Sequence, residues 1–246
     1  MSEPLEDRTV VITRSVAQNA PLAALLQARG ARVVELPLLS IEEPEDEGRE
    51  RDAVLQRVHE FDWLVITSPN GAERVAPFLA AAHAADDSVP MPKIAVVGEA
   101  TESVLGATCA LVAHPARASV LVDQFPSGTG DVVVVQGDLA DQEVLSGISD
   151  KGWNVTRVVA YRTVLLRPSK EMMLPALAAD VLMLASGSAA SAWFDMFGAS
   201  TPPVVVSIGP STTAVAQKLG LSVTTTATEQ SLVGLVEAAS EVLGAG

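Results

Sequence analysis

The chain writes one pattern twice. Thr9-Val10-Val11-Ile12-Thr13-Arg14 is echoed by Asp131-Val132-Val133-Val134-Val135-Gln136. Asp62-Trp63-Leu64-Val65-Ile66-Thr67-Ser68-Pro69-Asn70-Gly71 is echoed by Asp180-Val181-Leu182-Met183-Leu184-Ala185-Ser186-Gly187-Ser188. Lys93-Ile94-Ala95-Val96-Val97-Gly98-Glu99-Ala100-Thr101 is echoed by Val204-Val205-Val206-Ser207-Ile208-Gly209-Pro210-Ser211-Thr212. Each unit is an apolar strand that runs into small, hydroxyl-bearing turn residues and then a helix. Three units repeated in one order mean a duplicated α/β protein. The unbroken apolar strands mean parallel sheets covered by helices on both faces. Two halves with matching strand-end loops imply one ligand held between them.

The composition permits two cores. The chain has 246 residues, 48% hydrophobic and 19% charged, enough for two domains of ordinary size. Cys109 is the only cysteine, so no disulfide framework exists and no oxidising compartment is implied; it reads as a small buried side chain. The first eight residues are acidic and lack the apolar core of a secretory signal. The uncharged stretch 196–217 carries Pro202, Pro203 and Pro210, unlike a membrane helix. A cytoplasmic chain is expected. The net charge of −14 comes without a basic stripe, which argues against a general nucleic-acid binder. The acidic run 42–47 reads as a solvated loop or helix entry.

The element order is strand 9–13, a helix near 20–29 with Pro21 in its first turn and Gly30 as its stop, and strand 32–36. A helix 49–60, strand 63–67, helix 69–82, strand 94–97, a helix near 100–105, a short strand 111–112 and helix 119–125 follow. The turn 126–130, Pro-Ser-Gly-Thr-Gly, marks a boundary. The second pass runs strand 132–135, helix 141–151, Gly152 as a stop, strand 154–161, strand 181–184, helix 189–197, strand 204–208, helix 210–219, strand 222–225 and helix 231–243. Two extended segments break the alternation at equivalent places, 36–41 and 161–167. They suit a two-stranded connector, in which case the first unit of each repeat sits in the other repeat's domain. Two consecutive domains remain the alternative at this point.

Ligands of such sheets bind beyond the carboxyl ends of the strands. Ser68 before Pro69 reads as an N-cap with a first-turn proline, and Ser186-Gly187-Ser188 is its counterpart. Gly98 with Thr101, and Gly209 with Thr212, place a threonine in a first helical turn behind a close-packing glycine. Each loop opens a helix whose free N–H groups favour anions. The bland reading of each hydroxyl is a simple cap; repetition in matching positions favours a cradle for carboxylates. Tyr161, the only tyrosine, ends a strand, either as a half-buried strand aromatic or as a phenol aimed into a cleft. His59, His83 and His114 lack metal-ligand spacing and read as surface residues. Dinucleotide, P-loop and hydrolase-elbow fingerprints are absent.

In these segments the chain resembles the uroporphyrinogen-III synthase family. The likeness lies in Val11-Ile12-Thr13-Arg14, the 62–71 and 95–101 segments, Tyr161-Arg162-Thr163 and Ile208-Gly209-Pro210-Ser211-Thr212. The order and spacing of these segments carry the resemblance over nearly the whole chain. It implies two similar flavodoxin-like parallel-sheet α/β lobes joined by a two-stranded connector. One lobe is then 1–38 with 167–246, the other 42–162, with connectors at 36–41 and 162–168. It implies a cyclising hydro-lyase of tetrapyrrole (heme) biosynthesis that needs no cofactor or metal. The substrate is the linear tetrapyrrole hydroxymethylbilane, closed with ring D inverted and water lost.

The resemblance also implies site residues and partners. Tyr161 is the general acid for water loss, and Arg14, Ser68, Asn70, Gly98, Thr101, Ser186, Ser188, Gly209 and Thr212 bind substrate. A monomer in transient contact with the upstream enzyme is implied, with no nucleic acid or membrane partner. One departure stands out. Many members carry a basic residue where this chain has Gln136, and another near Ala140 or Asp141, so carboxylates must rely on Arg14, Arg117, Arg162, Arg167 and backbone N–H groups. The rival readings are a non-catalytic two-lobed binding or sensory module and a nucleotide-dependent enzyme on a Rossmann-like sheet.

Overall fold

β1 (Thr9–Ile12), α1 (Val16–Gln27) and β2 (Arg32–Glu35) form the first βαβ unit. β3 (Leu39–Glu42), α2 (Arg49–Leu55) and a 3₁₀ turn (Val58–Glu60) follow. β4 (Trp63–Ile66), α3 (Pro69–Ala85), β5 (Lys93–Val97), α4 (Glu99–Leu105), β6 (Leu111–Ala113) and α5 (Ala118–Gln124) come next. The remainder is β7 (Asp131–Gly137), α6 (Glu143–Ser149), β8 (Asn154–Leu165), α7 (Lys170–Leu177), β9 (Val181–Leu184), α8 (Gly187–Phe197), β10 (Val204–Ser207), α9 (Pro210–Lys218), β11 (Thr225–Thr226) and α10 (Leu232–Gly244). The computed structural model describes residues 4–85 and 90–244. The first three residues of the acidic N-terminal stretch, and the last two of the chain, lie outside them.

Two sheets result. One has the order β11-β10-β9-β1-β2 and the other β3-β8-β7-β4-β5-β6. β1 pairs in parallel with β2 and β9, and β10 with β9 and β11. β4 pairs in parallel with β5 and β7, β5 with β6, and β7 with β8. Numbered along the chain, the first sheet reads 2-1-3-4-5, the flavodoxin-like order; the parallel strands of the second, β8-β7-β4-β5-β6, have the same order with β7 and β8 counted first, and β3 is added outside β8. Strands of parallel sheets are buried on both faces, and the side chains alternate accordingly. Val10 and Ile12 enter one core cluster while Val11 enters another. Val133 and Val135 face the α3 and α4 side, whereas Val132 and Val134 pack with Leu121, Phe125 and Ile148 on the other. All four valines are fully buried, each worth about 1.5–3 kcal/mol relative to exposure.

The chain divides into two compact units, Met1–Ser40 with Val164–Gly246, and Ile41–Thr163. It passes from one to the other within β3 and again within β8. The turn 126–130 therefore separates the repeats but not the units. It delivers β7 into the sheet beside β4, because the Gly128 N–H bonds the Lys151 carbonyl (3.1 Å) and Trp153 Nε1–H bonds the Pro126 carbonyl (2.8 Å).

Several elements differ from the sequence expectation. α1 starts at Val16, with Ser15 extended before it, so Pro21 lies inside the helix. The helix expected over 49–60 breaks after Leu55, and a tight turn at Val58 keeps both side chains buried as the chain enters β4. α7 gives no periodic pattern, because Met172, Leu174 and Leu177 are exposed and Pro175 interrupts it. The last strand is the short pair Thr225–Thr226, set by Thr224 N–H bonding the Val205 carbonyl. Tyr161 does not end a strand: β8 runs four residues further, because β3 supplies a neighbour after β7 stops. The acidic run is not wholly solvated, since Glu42 pairs with Arg162 and Glu43 with Arg51 and Arg74.

Gly152 turns the chain from α6 into β8 at φ +98°, and a Cβ there would lie 2.6 Å from the Gly128 carbonyl oxygen. Strain and a backbone clash act together, so Gly152→Ala should destabilise unit Ile41–Thr163 by about 2–4 kcal/mol, read by chemical denaturation. Cys109 is half-buried, not buried. Burial, with the Glu102 charge second, pushes its thiol up to about 11. A raised value leaves less thiolate, so alkylation of the native protein at pH 8 should run roughly a hundredfold slower than for an ordinary thiol. Denaturant should abolish the difference.

Candidate functional site

In both sheets the strand order reverses at one place, between β1 and β9 and between β7 and β4. The loops after the two strands at such a reversal run to opposite faces and leave a crevice at the carboxyl edge. Arg14 follows β1 and Ser186 follows β9. Asp138 follows β7 and Ser68 follows β4. The residues singled out in sequence fall on these loops or on the next strand ends outward, at Gly98 and Thr101 after β5 and at Gly209 and Thr212 after β10.

Tyr161 is brought to the reversal by a register shift. Gln136 pairs with Val159 and Gly137 with Tyr161, which leaves Ala160 as the extra residue of a bulge. A one-residue shift moves side chains to the opposite face. Val158 and Ala160 belong to the cluster on the α3 side, and Tyr161 packs against that same cluster instead of turning away. Its ring lies on Gly137, where a Cβ would stand 2.8 Å from Cε2 and Cζ and 2.9 Å from the phenol oxygen. The phenol oxygen is 3.1 Å from Ser68 Oγ. Ser68 Oγ in turn accepts the Gly71 N–H (3.1 Å) at the start of α3. Tyr161 thus leans from β8 across Gly137 to the first turn after β4.

Charges gather around this phenol. The Arg74 guanidinium carbon lies 5.5 Å from the Tyr161 ring centroid. Arg74 Nε donates to Glu43 Oε1 (3.2 Å) and Nη1 to the Asn70 carbonyl (3.1 Å). Arg51 Nη1 donates to Glu43 Oε2 (2.6 Å) and to the Ala160 carbonyl (3.1 Å). Burial alone would lower the Arg51 pKa, but hydrogen bonds to Asp52 and Glu43 offset it and raise the value. On the other face of the sheet, Arg157 Nη2 bonds the Asp138 carbonyl (3.2 Å). Arg157 Nε and the fully buried Gln136 Nε2 have no protein partner.

The other expected residues of this unit are placed differently. Thr101 is fully buried, and its hydroxyl donates to the Val97 carbonyl (2.9 Å). Gly98 sits at φ +85°, with Ala116 Cβ 2.6 Å from where its own Cβ would stand. Both residues pack the start of α4. Asn70 lies in the first turn of α3. Arg117 is exposed before α5, and Arg162 pairs with Glu42 at 2.8 Å.

In the other unit Arg14 is half-buried, and burial pulls its guanidinium below the ordinary arginine range. Beside it in sequence, Thr13 Oγ1 is buried without a protein partner. Asn19, on α1, donates to Glu35 Oε2 (3.0 Å). Ser186 caps α8 by accepting the Ala189 N–H (3.1 Å), while Ser188 is exposed in the first turn. Thr212 is buried at the start of α9, and Gly209 makes room for the Gln230 side chain. Three hydroxyls without a sequence signal, Ser207, Thr213 and Thr226, meet here, with Thr213 and Thr226 2.6 Å apart. They tie β10, β11 and α9 together. Arg167 is exposed.

Sequence reasoning missed Gly137, Arg74 and Glu43. Gly137 could have been noticed, since it closes the apolar run of β7. Arg74 and Glu43 carry no local signal, because only the fold brings them to Tyr161. Among the described residues, no group of three or more His, Cys, Asp or Glu side chains is arranged to hold a metal ion, and no helix is long and apolar enough to cross a membrane.

The uroporphyrinogen-III synthase HemD family model matches residues 20–237. The chloroplastic uroporphyrinogen-III synthase of Oryza sativa subsp. japonica is 34% identical over 251 residues, covering 96% of this chain and 81% of the rice protein. The uroporphyrinogen-III synthase of Synechococcus elongatus is 29% identical, covering 95% of each chain. A crystal structure of mutant uroporphyrinogen III synthase from the extreme thermophile Thermus thermophilus matches with a TM-score of 0.67 at 15% identity, over 97% of this chain and 100% of that one. The Helicobacter pylori uroporphyrinogen-III synthetase matches with a TM-score of 0.57 at 16% identity, over 96% and 99%. The two structural likenesses show a shared fold. The family match and the two sequence relatives go further, and the chain belongs to the uroporphyrinogen-III synthase family, lyases of tetrapyrrole biosynthesis.

Proposed function

We propose that this chain closes hydroxymethylbilane to uroporphyrinogen III, with Tyr161 as the acid that helps water leave. The observation that carries the role is the phenol held at the carboxyl edge by Ser68 at 3.1 Å and by the glycine floor at position 137. In the first step the Tyr161 proton passes to the terminal hydroxyl as the carbon–oxygen bond breaks. Water departs, leaving an azafulvene cation and a phenolate. Ring D attacks that cation through its substituted carbon, and the spiro intermediate fragments and recloses with ring D inverted. The proton released on reclosure returns to the phenolate, so only water is lost overall.

In this reading the carboxyl edge of each unit offers carboxylate contacts of its own. Arg14, Ser186, Ser188, Gly209 and Thr212 serve one unit, and Ser68, Asn70, Gly98 and Thr101 the other. Thr101 and Gly98 act through the shape of their loop, since the Thr101 hydroxyl is engaged with Val97. Exposed apolar side chains stand just past β1 and β7, Val16 as the first residue of α1 at 71% and Leu139 in the turn after β7 at 69% exposure. Both suit the apolar faces of pyrrole rings. The same proposal takes the chain as a cytoplasmic monomer that receives its substrate in a transient contact with the upstream enzyme. The rice relative's name places that protein in the chloroplast, so compartment is to be read by localisation of a tagged chain.

The test is isomer composition. Enzymatically generated hydroxymethylbilane, incubated with the protein, should give the III isomer by chromatography after oxidation; the I isomer alone would end the proposal. Tyr161→Phe should lower kcat by about 10²-fold or less, at the low end of general-acid effects, with circular dichroism and Tm unchanged. Full rate and full selectivity in that variant would make the phenol structural.

A further inference from the structure

We infer that Arg74 is a positioning residue for the reaction, fixing the Tyr161 ring and supporting the negative charge that the phenol takes up when it gives its proton away. The inference rests on the proton-donor reading of Tyr161. Four neighbours define where the phenol stands. The bulge at Ala160 chooses the face, Gly137 leaves room for the ring, Ser68 meets the oxygen, and Arg74 lies 5.5 Å from the ring centroid. Arg74 cannot swing away freely. Glu43 holds its Nε at 3.2 Å, the Asn70 carbonyl holds its Nη1 at 3.1 Å, and only 17% of the side chain is exposed. Glu43 is itself anchored by Arg51, whose side chain is 9% exposed.

This arrangement holds a cation over the ring that becomes negative in the proposed step. A cation at this distance from an aromatic ring is attracted to its electrons, and the attraction grows when the ring gains negative charge. Ser68 Oγ accepts the Gly71 N–H and lies 3.1 Å from the Tyr161 oxygen, so the first turn of α3 fixes where the phenol oxygen stands. The guanidinium itself need not touch substrate, because two of its nitrogens are engaged within the protein.

The test is a double-mutant cycle with a conservative rescue. R74M, which keeps the apolar stem, should lower kcat about three- to thirtyfold with KM changed less than about twofold and a smaller share of III isomer. In the Y161F background the same substitution should change kcat by less than about twofold, because the group it acts on is gone. R74K, which keeps the charge and lowers the risk of misfolding, should recover part of the loss. A raised KM with unchanged kcat would make Arg74 a substrate contact and overturn the inference. So would an equal loss in both backgrounds. Full activity of Y161F alone would instead remove the proton-donor reading on which the inference stands.

Discussion

Parallel pairing is the constraint from which the rest of this molecule follows. Parallel strands cannot be joined by tight turns, so each strand must be followed by a crossover, here usually a helix. Every parallel strand of a sheet then points its carboxyl end to the same edge, and the loops that open the following helices gather there. Each sheet carries one reversal of strand order, and at each reversal neighbouring loops part. Arg14 and Ser186 stand at one, Ser68 and the Gly137 floor at the other. Chemistry can be concentrated on such an edge without disturbing the core, because the apolar strands beneath it are buried on both faces.

The site in unit Ile41–Thr163 shows how little is needed to convert that edge into a directed one. A regular β8 would have turned Tyr161 to the face opposite Ala160. One extra residue puts both on the α3 side, and a glycine at 137 lets the ring lie flat enough to meet Ser68. The phenol therefore owes its position to backbone geometry first and to polar contacts second. The ion pairs around it form a shared system: Glu43 joins Arg51, which is tied to the Ala160 carbonyl of the bulge, to Arg74 beside the ring. Bulge and guanidinium are thereby fixed to one carboxylate.

Much of this was legible in the order of residues. The valine runs of β1, β7 and β10 announce doubly buried parallel strands. The serine-proline at 68–69 and the serine at 186 announce helix starts, and both serines accept the expected backbone N–H. What escaped has physical causes. α7 exposes its apolar side chains, so it has no periodic signature. The bulge leaves no trace, because Val158, Val159 and Ala160 would suit a regular strand equally well. Thr101 reads in sequence as a ligand-facing hydroxyl, but a threonine in a helix can bond the carbonyl four residues back, as it does with Val97. Arg74 and Glu43 are 31 residues apart in the chain, a separation that no local rule bridges.

The interleaving of the two units also sets an order of assembly. Unit Ile41–Thr163 is one continuous stretch, so a ribosome delivers all of its strands in succession. The other unit begins with β1, α1 and β2, yet β1 finds its second neighbour only when β9 arrives; the Thr9 N–H bonds a carboxylate on Asp180, 171 residues later. Until then one edge of β1 has no partner, and an unpaired apolar edge invites wrong pairing. The continuous unit can close its sheet during that interval, holding the two passages of the chain at β3 and β8. The late strands then have a defined place to go, at a loop-closure cost that grows only slowly with the length already folded between them.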